Sequence, residues 1–227
     1  MCARYTVNTP ADALAALFLA LPPPAEPTDG PRFNIAPSQR VPVLILDRGQ
    51  RCIVPMRWGF LPSWAREAKQ AVVNARSETA FEKPFFRSAM RARRCLMPAS
   101  GFYEWKTESD GKQPYLFEQA SGAPFAFAAL WERWTPAPDA APAGVTGPVD
   151  TVCLLTTSAN GTLSPIHDRM PVILPDEARW RTWLDPRADR ESLEALLRPS
   201  PDDLLTARPV SRRLNNPRAE GPELWQT

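Results

Sequence analysis

Short apolar runs broken by proline dominate this chain. Val41–Leu46, Cys52–Trp58, Phe102–Lys106, Tyr115–Glu118, Phe125–Trp131, Thr151–Thr157 and Pro171–Leu174 carry the β-branched and aromatic content that favours strands. The chain holds 27 prolines, and that density disfavours long helices and favours strands joined by rigid turns. Thr9-Pro10-Ala11-Asp12 reads as a helix start with Thr9 as N-cap, and the apolar run Leu14 to Leu21 follows until Pro22-Pro23-Pro24 stops it. Later helices are predicted where Trp180, Trp183 and Leu184, and then Leu193, Leu196 and Leu197, fall at i, i+3, i+4 spacing. Thr135–Pro148 is rich in Pro, Ala and Gly, with strand signals on both sides, so it is expected to be an exposed loop and not a domain linker. The pattern predicts one α+β domain over residues 1–227, built on a mostly antiparallel, barrel-like sheet with peripheral helices.

Composition narrows the class only a little. Hydrophobic residues make up 44% and charged residues 23% of 227, which is ordinary for a soluble globular protein. No signal peptide or membrane-spanning run is legible, so the cytoplasm, or the nucleoid within it, is expected by default. Cys2, Cys52, Cys95 and Cys153 include no CxxC pair and His167 is the single histidine, so neither a metal site nor a cofactor is expected. Cys52, Cys95 and Cys153 lie in strand-like runs and read as buried small apolar residues. The net charge of +2 neither demands nor excludes nucleic acid. Between Arg76 and Arg94, six basic residues face two acidic ones, a local excess of +4 that, from charge alone, a solvated helix face explains better than a binding patch.

Five segments carry candidate chemistry. If Met1 is removed, Cys2 presents an α-amine and a thiol on adjacent carbons. Such an amine, with an ordinary pKa of about 7.7–8.0, is partly neutral at neutral pH and attacks an aldehyde to give an imine. The thiol then closes a thiazolidine, which an internal cysteine cannot form. In Phe102-Tyr103-Glu104-Trp105-Lys106, strand alternation puts Glu104 on the face of Phe102, with Tyr103 and Trp105 opposite. Large aromatics on both faces predict a carboxyl drawn out of water, suited to acid–base work, although pairing with a nearby arginine fits as well. His167, beside Asp168 and Arg169 between two prolines, suits proton transfer near neutral pH. Asn74 and Arg76 in Val73-Asn74-Ala75-Arg76-Ser77-Glu78-Thr79 offer an amide to orient a substrate and a guanidinium for phosphate, or the segment is a capped helix start. In Trp58-Gly59-Phe60-Leu61-Pro62-Ser63-Trp64, Trp58 is expected in the core and Trp64 at the surface, where an aromatic can stack on unpaired bases.

Together these segments resemble the SRAP family, the SOS-response-associated peptidases or abasic-site-processing proteins. The likeness runs through Cys2 with Arg4-Tyr5, Arg32 to Pro37, Trp58 to Trp64, Asn74 to Thr79, Arg94-Cys95 to Pro98, Gly101 to Lys106, Thr156 to Asn160, Ile166 to Pro171, and Pro209-Val210-Ser211. It implies a protein that shields abasic sites in single-stranded DNA by forming a thiazolidine crosslink through Cys2; with no coiled-coil pattern or obvious interface in the sequence, a monomer is expected. By the same resemblance Asn74 positions amine and sugar, Glu104 is the general acid/base for ring opening and imine formation and takes part in releasing the crosslink, and His167 assists sugar opening. Arg4, Arg76 and Arg169 become phosphate contacts, and Asn34, Pro37 and Trp64 the DNA-facing loop and wedge. Thr157 and Ser211 are the weakest of the implied contacts. The family's peptidase name points to removal of Met1. Where the family usually has glycine after the cysteine, this chain has Ala3, whose methyl restricts the backbone.

Two other readings fit parts of the pattern. An N-terminal-nucleophile amidohydrolase would use Cys2 on an amide and would need an oxyanion hole, but leaves Arg76 and Arg169 unexplained. A DNA-binding protein without chemistry leaves Glu104 an odd neighbour for phosphates.

Overall fold

The strand-forming runs close on themselves. The computed structural model describes residues 2–22, 30–136 and 147–226. In chain order its strands are β1 (Tyr5–Val7), β2 (Arg32–Ile35), β3 (Arg40–Asp47), β4 (Gln50–Trp58), β5 (Asn74–Arg76), β6 (Arg94–Ala99) and β7 (Gly101–Glu108). They continue with β8 (Gly111–Gln119), β9 (Phe125–Trp134), β10 (Val149–Ser158), β11 (Arg169–Pro171), β12 (Ile173–Leu174) and β13 (Leu205–Pro209). Five strands make a ring: β10 pairs β4, β4 pairs β3, β3 pairs β6, β6 pairs β9, and β9 returns to β10. That closure is the barrel the alternating pattern predicts, and it removes edges that would otherwise invite aggregation. Pairing is antiparallel except where β10 meets β4 and β5.

A second sheet, in the order β13-β8-β7-β1-β2, lies against the barrel. Aromatic rings fasten the two layers. Tyr5 on β1 sits edge-on to Trp58 and Phe127 with centroids 5.3 and 5.8 Å away, and Phe102 meets Phe127 at 6.1 Å. These rings are fully buried, and removing one such as Phe127 by substitution with alanine costs about 3–5 kcal/mol.

Five α-helices among the described residues lie around the sheets: α1 (Ala11–Leu17), α2 (Ser77–Ala80), α3 (Arg87–Ala92), α4 (Glu177–Leu184) and α5 (Arg190–Leu196). The last two start at aspartates whose side chains accept backbone N–H groups, Asp176 from Arg179 and Asp189 from Ser192. Trp180, Trp183 and Leu184 of α4 are buried, and Trp183 Nε1 donates to the Cys95 carbonyl at 2.9 Å. No helix among the described residues is long and apolar enough to cross a membrane.

Several sequence expectations need correction. Helix α1 ends at Leu17, and Leu21 instead bridges Cys52 at the edge of β4. Thr9 does not cap it: Pro10 holds the N-cap position, and the Thr9 hydroxyl lies 3.4 Å from that of Ser100. The run Pro171–Leu174 is not one strand. At Val172 the chain changes partner, its N–H donating to Leu155 of β10 while its carbonyl accepts from Ala128 of β9. Cys95 and Cys153 are fully buried as expected, whereas Cys52 is only half-buried. The expected loop Thr135–Pro148 falls for the most part outside the described residues, and β9 and β10 run up to its two ends at Trp134 and Val149.

Candidate functional site

Cys2 precedes β1, and the two sheets meet around it. Strand β1 pairs β7 with Tyr5 opposite Phe102, and Tyr103 donates its N–H to the Arg4 carbonyl at 3.0 Å. From the barrel side, β5 lies parallel to β10, with Asn74 beside Leu154 and Arg76 beside Thr156. Asn74 Nδ2 donates to the Cys2 carbonyl at 3.0 Å and so ties the amino-terminal segment to the barrel. The other amide atom, Asn74 Oδ1, is buried and accepts no hydrogen bond among the described residues. Cys2 itself is 1% exposed, and its Sγ–H points to the Arg4 carbonyl at 3.6 Å. Burial pushes the thiol well above its ordinary pKa, and the nearby charge of Glu104 pushes it the same way.

Glu104 is 3% exposed on β7, so the alternation argument holds for its burial. Loss of solvent raises its carboxyl pKa, and its electrostatic neighbours include His167. His167 precedes β11 in a turn where its backbone N–H donates to the Leu163 carbonyl at 3.0 Å. Its Nδ1 lies 3.0 Å from the Arg169 N–H and 2.9 Å from Asp168 Oδ1. One nitrogen cannot accept the first and donate to the second, so protonation at Nδ1 trades one neighbour for the other. Asp168 is 86% exposed, and the backbone contact is the better-shielded of the two. Cys2, Asn74, Glu104 and His167 therefore converge although they come from four separate parts of the chain.

The expected DNA contacts divide. Arg76 and Arg169 flank the end of β10, Arg76 through β5 and Arg169 opposite Ser158 through β11. Arg76 is exposed and makes no side-chain hydrogen bond or ion pair among the described residues. Arg169 instead forms a two-pronged ion pair with Glu78, at 2.5 and 2.9 Å, and also donates to the Thr156 carbonyl at 2.6 Å. Trp64 is 58% exposed and stands edge-on to Phe85 at 5.7 Å, while Trp58 is fully buried, as expected of both. Pro37 is half-buried at the turn between β2 and β3.

Asn34 does not face a solvent-filled groove. It is 2% exposed, accepts from Arg4 at 2.5 Å, and donates to the Asn216 and Ala219 carbonyls at 3.0 and 2.9 Å. Arg4 also donates to the Leu214 carbonyl at 3.1 Å and lies over the Trp105 ring, so both side chains bind the amino-terminal segment to the carboxy-terminal one. Thr157 is 4% exposed inside β10. Ser211 caps a short 3-10 turn by accepting from the Arg213 N–H at 3.4 Å.

The chain that carries this arrangement has known relatives. A family model described as SOS response associated peptidase (SRAP) matches residues 1–217. The chain belongs to this family. It is 38% identical over 231 residues to the abasic site processing protein YoqW of Bacillus subtilis, with all of both chains covered. It is 32% identical over 224 residues to the abasic site processing protein HMCES of Xenopus tropicalis, with 85% of this chain covered and 65% of that longer one. Among solved structures, a Bacteroides thetaiotaomicron protein superposes with a TM-score of 0.85 at 23% identity, with 99% of each chain covered, which shows the fold. A Bordetella bronchiseptica protein superposes at 0.76 with 29% identity, covering 92% of this chain and 100% of that one.

One side chain beside the candidate site escaped the sequence reading. Glu78 reads locally as part of a helix cap, yet α2 has no side-chain cap, and the carboxylate reaches Arg169, 91 residues along the chain. Only the shared pairing of β5 and β11 with β10 brings the two together, and no local pattern signals it.

Proposed function

We propose that this chain binds single-stranded DNA containing an abasic site and links itself to that site through Cys2 once Met1 is removed. The single observation that carries the reading is the placement of Cys2, held through its carbonyl by Asn74 at 3.0 Å and electrostatically coupled to the buried Glu104. The family membership and the names of its relatives support the substrate.

The chemistry runs in two additions. The freed α-amine of Cys2 attacks the aldehyde carbon of the ring-opened deoxyribose, and the resulting carbinolamine loses water to give an imine. Acid-assisted loss of the hydroxyl leaves the imine protonated on nitrogen, and the thiol adds to it: a C–S bond forms, the π pair goes to nitrogen and neutralises it, and the thiol proton goes to the base. The net change is loss of one water. Glu104, whose burial keeps its proton to higher pH, protonates the departing hydroxyl and then, as carboxylate, takes the thiol proton. A thiol whose burial disfavours ionisation needs such a base. Asn74 Oδ1 offers an acceptor to the amine or to a sugar hydroxyl, and His167 moves the proton of the opening sugar. Run backwards, the same groups release the crosslink. Arg76 and Arg169 engage flanking phosphates, and Trp64 stacks on an unpaired base. Removal of Met1, by the chain itself or by an aminopeptidase, is the hydrolytic step the family name describes.

A denaturing gel of the protein with a single-stranded oligonucleotide carrying one abasic site tests this. A shifted band that needs both the abasic site and Cys2, and is lost in Cys2→Ala, is expected. Absence of the band from protein whose mass shows Met1 removed overturns the reading.

A further inference from the structure

Arg169 is already occupied. A guanidinium carries five N–H donors. Two of those on Arg169 reach Glu78 and one reaches the Thr156 carbonyl, while Nε is buried with no acceptor among the described residues. One Nη1 hydrogen is left for anything else. The Arg169 side chain is 14% exposed and that of Glu78 is 49% exposed, so the carboxylate is the outward member of the pair. Hydrogen bonds from Arg169 hold the Glu78 carboxyl below its ordinary pKa, and the charge of Arg76 adds to this, so Glu78 is ionised wherever DNA would bind.

A carboxylate and a phosphodiester present the same face to arginine: two oxygens, one negative charge, and a spacing that matches two parallel N–H groups. They cannot both take the two-pronged position. We propose that Glu78 is a resident competitor of the DNA backbone, filling Arg169 in the free protein so that a phosphate engages this guanidinium only by displacing it. Displaced, Glu78 has Arg76 as its remaining cationic neighbour, which draws on the second phosphate contact as well. The pair thus holds down non-covalent affinity for any strand and leaves retention to the covalent step at Cys2, which only an aldehyde-bearing site completes. The inference rests on the DNA-binding reading above.

Equilibrium binding to an undamaged single-stranded oligonucleotide, read by fluorescence anisotropy across a salt series, tests it. Glu78→Gln is expected to bind several-fold more tightly than wild type. The dependence of log affinity on log salt should steepen by about 0.7, the value for one more phosphate on a single strand. In an Arg169→Ala background the gain should shrink to what release of Arg76 alone gives, and Glu82→Gln, which removes the same charge from a carboxylate paired with Arg190, should give none. Unchanged or weaker binding by a folded Glu78→Gln protein overturns the proposal, as does an equal gain in the Arg169→Ala background, which would report net charge alone. Crosslinking of abasic DNA by the wild type is read in parallel. Crosslinking without a Glu78→Gln gain faults the competitor; a gain without crosslinking faults the chemistry proposed for Cys2.

Discussion

The Asn74 side-chain amide donates to the Cys2 main-chain carbonyl across 3.0 Å, and that bond joins the amino-terminal segment to the barrel. Its net contribution to stability is about 0.5–1.5 kcal/mol. Its contribution to reactivity should be larger, because a nucleophile on a loose terminus loses the alignment that makes attack effectively intramolecular. Asn74→Ala is expected to lower the melting temperature by only a few degrees and to slow crosslinking tenfold or more. Single-turnover rates at saturating DNA check this, and a rate within twofold of wild type would remove Asn74 from the site.

Glu104 sets opposite demands on stability and chemistry. Its carboxyl pKa is raised in the folded chain, chiefly by burial, so between the unfolded and folded values the native state binds more protons than the unfolded one. Stability therefore falls as pH rises through that window, and the ionised carboxylate is a standing cost at neutral pH. Glu104→Gln should raise the melting temperature at pH 7 relative to wild type, with the difference shrinking toward pH 4, while crosslinking slows. Thermal unfolding at a series of pH values reads the first effect and gel kinetics the second.

Asn34 and Arg4 should behave as parts of the scaffold. Substituting Asn34 with alanine leaves a partly buried guanidinium and the Asn216 and Ala219 carbonyls short of a partner. A destabilisation of about 2–4 kcal/mol is expected from the unpaired polar groups together. Urea unfolding measures it, and below the transition the variant should bind single-stranded DNA as wild type does.

How far such roles were legible in the sequence depended on distance along the chain. The burial of Glu104 follows from alternation within five residues, and α4 and α5 follow from the i, i+3, i+4 spacing of their apolar residues. The core position of Trp58 and surface position of Trp64 were also readable, since only Trp58 lies in an apolar strand. Asn34 was not readable, because the carbonyls that consume its amide lie 182 and 185 residues away. Strand β5 was missed because three residues, Asn74–Arg76, become a strand only by pairing with β10. The break at Val172 was hidden for a similar reason, since both of its backbone partners are set by the closed barrel and not by the local run.

Trp64 and Arg76 should contribute affinity and little stability. Trp64→Ala removes an exposed ring and is expected to weaken binding to single-stranded DNA by about 1–3 kcal/mol, the usual value of stacking on one base. Arg76→Ala should weaken binding evenly across sequences and flatten the salt dependence by about 0.7, the value of one phosphate on a single strand. Anisotropy titrations at several salt concentrations separate the two.

The central claim is the bond at Cys2, and intact mass spectrometry tests it most directly. Protein confirmed to begin at Cys2 is mixed with a single-stranded oligonucleotide carrying one abasic site, with no reductant present. The account predicts an adduct equal to protein plus oligonucleotide less one water, mapped to the first peptide and absent from Cys2→Ser. No adduct from such protein, or the same adduct from Cys2→Ser without reductant, would contradict it.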